Sequence, residues 1–245
     1  MSWHFDLASE IGGRREQQDR VEVFAAPGPR GGHLLVLADG MGGQDQGAVA
    51  SQQVVDTARA MLPRIVETEP RHFLTEFCVE AHESIRAIGQ RDGTNPASTC
   101  TALYLTDEEA YWVHVGDSSL CHFSADELVM RTSDHTIAAL TGTGAGVAGG
   151  DHRLYMCLGG RNRVEPEFGA TAVGPDDWFL LGSDGLWNQL QETELGGLLV
   201  ATGKDRKCAA ELAQIAVARG GENCDNVSLA VVSRRPEKKK AWWHF

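Results

Sequence analysis

At 245 residues and 26.5 kDa the chain can bury one large core or two small ones, and 42% apolar with 23% charged residues is ordinary for a globular protein. A formal charge of −12 argues against non-specific binding of nucleic acid and suits cations. No apolar run is long enough to span a bilayer, and residues 1–10 lack the basic start and apolar core of a signal peptide, so a cytoplasmic protein without an integral membrane segment is expected.

In chain order, residues 4–9 alternate weakly and predict a first strand. Residues 21–26 predict a second, closed by Pro27, and the Leu/Val-rich run 34–38 a buried third. Helical spacing follows over 46–62, stopped by Pro63, and over 70–90, where Phe73, Phe77, Ala81, Ile85 and Ile88 form one stripe. Strands return at 99–105, 111–115, 120–123 and 128–131. Residues 141–150 are glycine-rich without periodicity and read as a mobile loop. Strands at 168–173 and 178–181, a helix at 208–218 and a last strand at 227–232 complete the series. Strands outnumber helices and do not alternate strictly with them, which predicts an α+β fold with largely antiparallel sheets. No repeat or linker divides the chain, so a single domain over 1–235 is expected, followed by a short basic and aromatic tail, 236–245. A solvated tail with its tryptophans folded back is the expectation there, a docking or membrane-surface role the minority alternative.

Cys78, Cys100, Cys121, Cys157, Cys208 and Cys224 form no C-x-x-C pair and no zinc spacing, and read as reduced, buried small hydrophobes. The stretch "LLVLADGMGGQDQGAVAS" raises a sharper question, because its buried strand ends on one carboxylate, Asp39, followed by Gly40, Gly42 and Gly43. A carboxylate there is costly without a cation or other partner, and glycines let backbone pass close to whatever it holds. Three readings stand for this stretch alone: a turn capped by aspartate, an anion-binding turn at a helix start, or a metal site with a bare carbonyl as second ligand. The Lys-Ser/Thr pair of a P-loop and the G-x-G-x-x-G fingerprint are absent.

The pattern recurs. Asp117 follows the strand at 111–115 in "HVGDSS", Asp184 follows 178–181 in "LLGSDGLW", Asp225 precedes the last strand in "CDNVSLAVV", and Asp19 precedes the second in "REQQDRVEV". Five isolated carboxylates at strand boundaries suggest strand ends meeting around hard cations, and oxygen ligands without Cys or His clusters select Mg²⁺ or Mn²⁺ over zinc. Two such ions about 3.5–4 Å apart lower the pKa of a shared water and prepare it to attack phosphorus. Arg14 and Arg15, just before Asp19, offer guanidinium forks that match phosphate oxygens.

The motifs "GRREQQD", "VLADGMGGQDQGAVAS", "STCTAL", "HVGDSS", "RTSDHT", "CLGG", "LLGSDGLWNQL" and "CDNVSLAVV" resemble, in order and across residues 12–232, the PPM family of metal-dependent Ser/Thr protein phosphatases, protein phosphatase type 2C. "DGMGG" and the short length are similar to its bacterial branch. The resemblance implies a central β-sandwich of two antiparallel sheets flanked by helices (α-β-β-α), with a dimetal site at one end. It implies that Asp39 bridges two core Mn²⁺ or Mg²⁺ ions, that the Gly40 carbonyl is a ligand, and that Asp184 and Asp225 complete the inner site. Asp19 would act through water, Asp117 would hold a third ion shared with Asp184, and Arg14 would bind the phosphate. The implied substrate is a phosphoprotein, the implied partner a bacterial Ser/Thr kinase or its targets, and the implied protein a monomer. The alternatives are a pseudophosphatase used as a binding module, which lost carboxylates would mark, and a phosphatase of small esters.

The chain departs from the family pattern at Gln17, Gln44, Ala48 and Ser119, where Asn, His, Glu and Arg are usual, and Met41 stands where animal-type members carry a histidine proposed as general acid. The segment between "DHT" and "CLGG" is shorter than in many bacterial members. Asp134 is read as a possible helix cap, His135 as more often structural than catalytic, and Trp187 as core.

Overall fold

The computed structural model describes residues 2–28, 31–42, 46–142, 153–195, 197 and 208–235. Gly43, Gln44, most of the glycine-rich 141–150 stretch and the tail lie outside these residues.

Eleven strands among the described residues form two antiparallel sheets. The first sheet runs β1(Ser2–Glu10), β11(Val227–Arg235), β10(Asp177–Gly182), β7(Ser119–Ser124), β8(Glu127–Arg131). The second runs β2(Asp19–Ala25), β3(His33–Met41), β5(Cys100–Leu105), β6(Glu109–Val115), β9(Glu167–Ala172), with the two-residue β4(Ala97–Ser98) paired to the end of β3. Helices α1(Gln46–Met61) and α2(Pro70–Asp92) cover the second sheet and α5(Cys208–Gly220) covers the first, giving the four-layer α-β-β-α arrangement expected.

The layering explains why the central strands are apolar without alternation. In β3, Leu34, Val36 and Ala38 pack towards α1 and α2, whereas Leu35 and Leu37 point into the layer between the sheets. In β11, Val227, Leu229 and Val231 face α5, and Ala230 and Val232 face the inter-sheet layer. Strands with period-2 side chains and both faces covered must be apolar at every position.

Most expected elements form, with shifted ends. α2 runs past residue 90 to Asp92, starts at Pro70 beneath a Glu69 side chain that accepts from the Arg71 and His72 N–H groups, and stops at Gly93 with φ 67°. Pro63 does not end α1 directly, since the helix gives way at Met61 to a 3₁₀ turn, Leu62–Val66, that holds Pro63 in its first turn. Two short helices were not legible from periodicity: α3(Ile137–Thr141) and the single turn α4(Asp184–Trp187). Asp134 is not a cap; Thr136 caps α3, its side chain accepting from the Ala139 N–H at 3.2 Å. All six cysteines are free, five buried and Cys157 partly buried.

Candidate functional site

The inter-sheet layer stops being apolar at one end of the sandwich. Val21 and Val23 fill it from β2, and Asp19, on the same side of that strand, lies in register opposite Asp39 of β3. Asp39 in turn continues the Leu35–Leu37 side of β3. Asp184 opens α4 just beyond β10, Asp225 lies two residues before β11, and Asp117 follows β6. Asp39, Asp117, Asp184 and Asp225 line one cleft of about 490 Å³ together with Arg14, Gly40 and Met41. Asp19 sits beneath it, 2% exposed. All the residues assigned by resemblance therefore meet at one end of the fold.

Backbone contacts hold the ends there. Gly40 and Gly47 approach so closely that a Cβ on Gly40 would lie 2.0 Å from the Gly47 carbonyl oxygen, which fastens the start of α1 to the end of β3 and leaves the turn bare. Gly12, with φ 62°, lets the N-terminal loop lie against Asp225, whose carbonyl oxygen a Cβ would meet at 2.2 Å. That placement puts the Arg14 guanidinium on the Asp225 carboxylate at 2.5 Å. Asn226 clamps the same loop: its side chain donates to the Ile11 and Glu16 carbonyls at 2.9 and 3.0 Å and accepts from the Gln18 N–H at 2.8 Å. Gln17 accepts from the Asp19 N–H at 2.9 Å. Ser183 donates to the Asp19 carboxylate at 2.9 Å, and Thr99 accepts from the Asp39 N–H at 2.9 Å.

The electrostatics define what the site lacks. Burial, aided by repulsion from Asp19, Asp184, Asp117 and Asp225, raises the Asp39 carboxyl well above the usual carboxylate range. Burial raises Asp19 to about 7, with Asp184 and Asp225 adding repulsion against hydrogen bonds from Ser183 and Ser228. Asp117 also reaches about 7, by burial and then by repulsion from Asp184. Asp184 is raised by burial and by Asp225, and its carboxyl lies in hydrogen-bond contact with that of Asp39. Two buried carboxyls in contact need a proton or a cation between them. This donor set fits hard divalent ions. Among the described residues no three His, Cys, Asp or Glu side chains close on one point as a ready-made cage.

Sequence reasoning missed Asn226 and Ser183, although each adjoins a flagged aspartate in "CDN" and "GSDG". It also missed Arg153, which lines the cleft from beside Leu154 and Cys157 and belongs to no motif. At Ser119, where the resemblance expects arginine, Arg131 of β8 donates to the hydroxyl at 3.1 Å and stacks 5.0 Å from the Trp187 ring. Trp187 is part-buried against the core under α5, as expected, with its ring N–H on the Gly182 carbonyl at 2.8 Å. His135 is buried away from the cleft lining and accepts from the Gly116 N–H at 3.2 Å, a structural role.

Comparison with known proteins gives the family and the fold. The family description "Protein phosphatase 2C" matches residues 9–215. The protein phosphatase PhpP of Streptococcus pneumoniae is 27% identical over 94% of this chain and 97% of its own length. The Ser/Thr phosphatase stp of Listeria monocytogenes is 27% identical over 82% of this chain and 84% of its own. Among solved structures, the Ser/Thr phosphatase of S. agalactiae superposes with a TM-score of 0.83 at 25% identity, covering 96% of this chain and all of that one. The catalytic domain of the phosphatase PstP, solved in complex with two manganese ions, superposes at 0.75 with 26% identity, covering 94% of this chain and 97% of that one.

Proposed function

The chain belongs to the protein phosphatase 2C family, and from that premise we propose that it hydrolyses phosphoserine and phosphothreonine in proteins. The observation that carries the reading is the buried carboxylate cluster, too dense in like charge to be fully ionised without cations, with an arginine at its lip. Asp39, Asp184 and Asp225 would hold two core ions together with the Gly40 carbonyl, Asp19 would support them through water, and Asp117 would hold a third ion. The ions are Mn²⁺ or Mg²⁺, and when bound they supply Lewis acidity and an activated water at neutral pH. Residues 1–235 act as one phosphatase domain, with 236–245 as a tail.

The chain's own residues do the rest. Ser183 orients Asp19 by donating to its carboxylate, and the Thr99 hydroxyl fixes the Asp39 backbone. Arg14 rests on Asp225 as a counter-cation. Its exposed guanidinium fork would take two phosphate oxygens of the substrate. Arg153, which lines the same cleft, would add a second positive charge for the substrate anion. Met41 has no proton to donate to the leaving group, so no side chain at that position acts as general acid.

All five carboxylates are in place, which disfavours a pseudophosphatase. Turnover of phosphothreonine peptides and of p-nitrophenyl phosphate, with Mn²⁺ and with EDTA, tests the proposal. Mn²⁺-dependent hydrolysis of the peptides is expected; hydrolysis of the small ester alone would make this a phosphatase of small molecules. A Ser/Thr kinase acting on the same proteins is the expected counterpart.

A further inference from the structure

A second cleft adjoins the first. It holds about 380 Å³ between the C-terminal half of α2, the Thr94–Pro96 turn and the Gly159–Arg161 segment. The partition between the clefts is one piece of laced backbone. Met41, which lines the first cleft, pairs in register with Ala97. Ser98 and Leu158 exchange backbone hydrogen bonds at 3.1 and 2.9 Å. On the far side of that partition lie Asn95 and Gly159, on its near side Gly42 and Cys157. A chain lying in the first cleft and running over Asn95 and Pro96 enters the second.

The second cleft has a charge character opposite to the molecule's. The protein carries −12 overall, yet among the described residues no Asp or Glu lines this cleft, while Arg86 and Arg161 both do. Arg86 donates to Glu83 at 3.2 Å, a solvent-facing pair of the kind that holds a guanidinium only weakly. Arg161 is exposed and makes no ion pair among the described residues. The carboxyl end of α2 also points here and on its own would disfavour an anion. Its Gly89 carbonyl is already capped by the Gly93 and Thr94 N–H groups, so the two guanidiniums dominate. Gly89, Gly93, Gly159 and Gly160 keep the walls bare and let a substrate chain come close.

We infer that this cleft is a specificity subsite that takes an acidic side chain of the substrate protein, a few residues from the phosphorylated one, on Arg86 and Arg161. The inference rests on the phosphatase reading and adds a substrate class to it: phosphoproteins whose modified residue has a carboxylate nearby. Arg161 is the main contact, being the cation without a carboxylate of its own.

The test uses the full chain with Mn²⁺, p-nitrophenyl phosphate, a phosphothreonine peptide with neutral flanks, and variants of that peptide carrying one glutamate moved through each position on either side. In one register the glutamate should lower KM about three- to tenfold with kcat unchanged, the range expected for one or two partly exposed charge pairs, and the gain should shrink with added salt. Arg161→Ala should remove most of that gain and Arg161→Glu should reverse it, favouring lysine in the same register, while turnover of p-nitrophenyl phosphate stays at the parent level. A parent enzyme indifferent to glutamate in every register overturns the subsite and leaves the phosphatase reading standing. So does a glutamate preference that survives in Arg86→Ala/Arg161→Ala. Failure to hydrolyse both the small ester and the neutral peptide overturns the phosphatase reading and the subsite together.

Discussion

Strand β10 carries a carboxylate near each end, and the two are treated in opposite ways. Asp177 begins the strand, 8% exposed, and burial alone would raise its pKa. The Gly174 N–H at 2.8 Å, the Ser124 hydroxyl and His122, whose Nε2 is 3.1 Å away, outweigh that and hold it below the usual carboxylate range. Asp184, just past the other end, is also pushed up by burial, but its next influence is another carboxylate, Asp225. A carboxylate that serves the fold comes with donors. The carboxylates proposed for chemistry are raised by burial and by one another in spite of donors such as Ser183 and the Gly185 N–H, so that a cation from outside would complete them.

The largest effect should come from exchanging the same atoms at the two ends. Asp39→Asn, which alters the carboxyl in contact with Asp184, should cut phosphopeptide turnover on the order of a hundredfold or more. That exceeds the ~10–100-fold typical of losing a group that only supports a ligand. Its circular dichroism should be unchanged, and its metal-free form should melt no lower than the parent. Asp177→Asn should do the reverse, lowering stability by about 1 kcal/mol through a weaker hydrogen bond from the Gly174 N–H, with kcat intact. Loss of activity at 177 and loss of stability at 39 would reverse the assignments.

The two ends should also answer pH in opposite directions. Asp19 and Asp117 titrate near 7 in the metal-free fold, above the unfolded value of about 3.9. Between those limits the folded state binds more protons than the unfolded one, so these groups make the chelated protein less stable as pH rises from about 4 to 7. Asp177 is lowered in the fold, so its contribution is present above the unfolded pKa and is lost only as pH falls below it. Thermal melts in EDTA should therefore fall as pH rises from 5 to 7.5, and Mn²⁺ at pH 7.5 should restore the loss. Melts that rise over that interval in EDTA would show that the carboxylate end is not under charge strain.

That contrast also marks what the sequence could and could not reveal. Asp39, Asp117, Asp184 and Asp225 were legible because each breaks an apolar run or stands next to a strand, and the period-2 pattern says where a strand ends. Asp19 was placed before its strand and in fact begins it, since β2 pairs as far as Asp39. The side chains that fix the carboxylate end in place were not legible. Ser183, Thr99 and Asn226 act across 43 to 215 residues of chain, and no local pattern carries such pairings. α3 and α4 were missed because helices of five and four residues are shorter than the window in which a 3.6-residue period can be seen. The second cleft was invisible for the same reason as Ser183: Arg86 and Arg161 meet only through the fold.

Arg14 sharpens the comparison from the substrate's side. It is 59% exposed and neutralises Asp225 from outside, as an ion would from inside. Arg14→Ala should raise KM for phosphopeptides roughly ten- to hundredfold, the equivalent of a charge-assisted contact of about 1.5–3 kcal/mol, with a smaller change in kcat. If Arg15→Ala shows that split and Arg14→Ala does not, the phosphate contact belongs to Arg15.

Asp117 should give the smallest effect of the carboxylates, because it stands partly outside the cluster. Its strongest like-charged neighbour is Asp184, followed by Asp134 and Asp225, whereas Asp39 is repelled first by Asp19 and Asp184 and only then by Asp117. It lines the cleft rather than the floor where Asp19 lies. A position with fewer protein carboxylates binds a reluctantly dehydrated cation more weakly. Asp117→Ala should therefore leave two tight Mn²⁺ sites by calorimetry and a near-native melt, yet lower phosphopeptide turnover about tenfold, since Met41 offers no proton to replace what a third ion supplies. Loss of a tight site would move Asp117 into the core pair. Full activity at saturating Mn²⁺ would remove it from the chemistry and return it to the class of Asp177, a carboxylate that serves the fold.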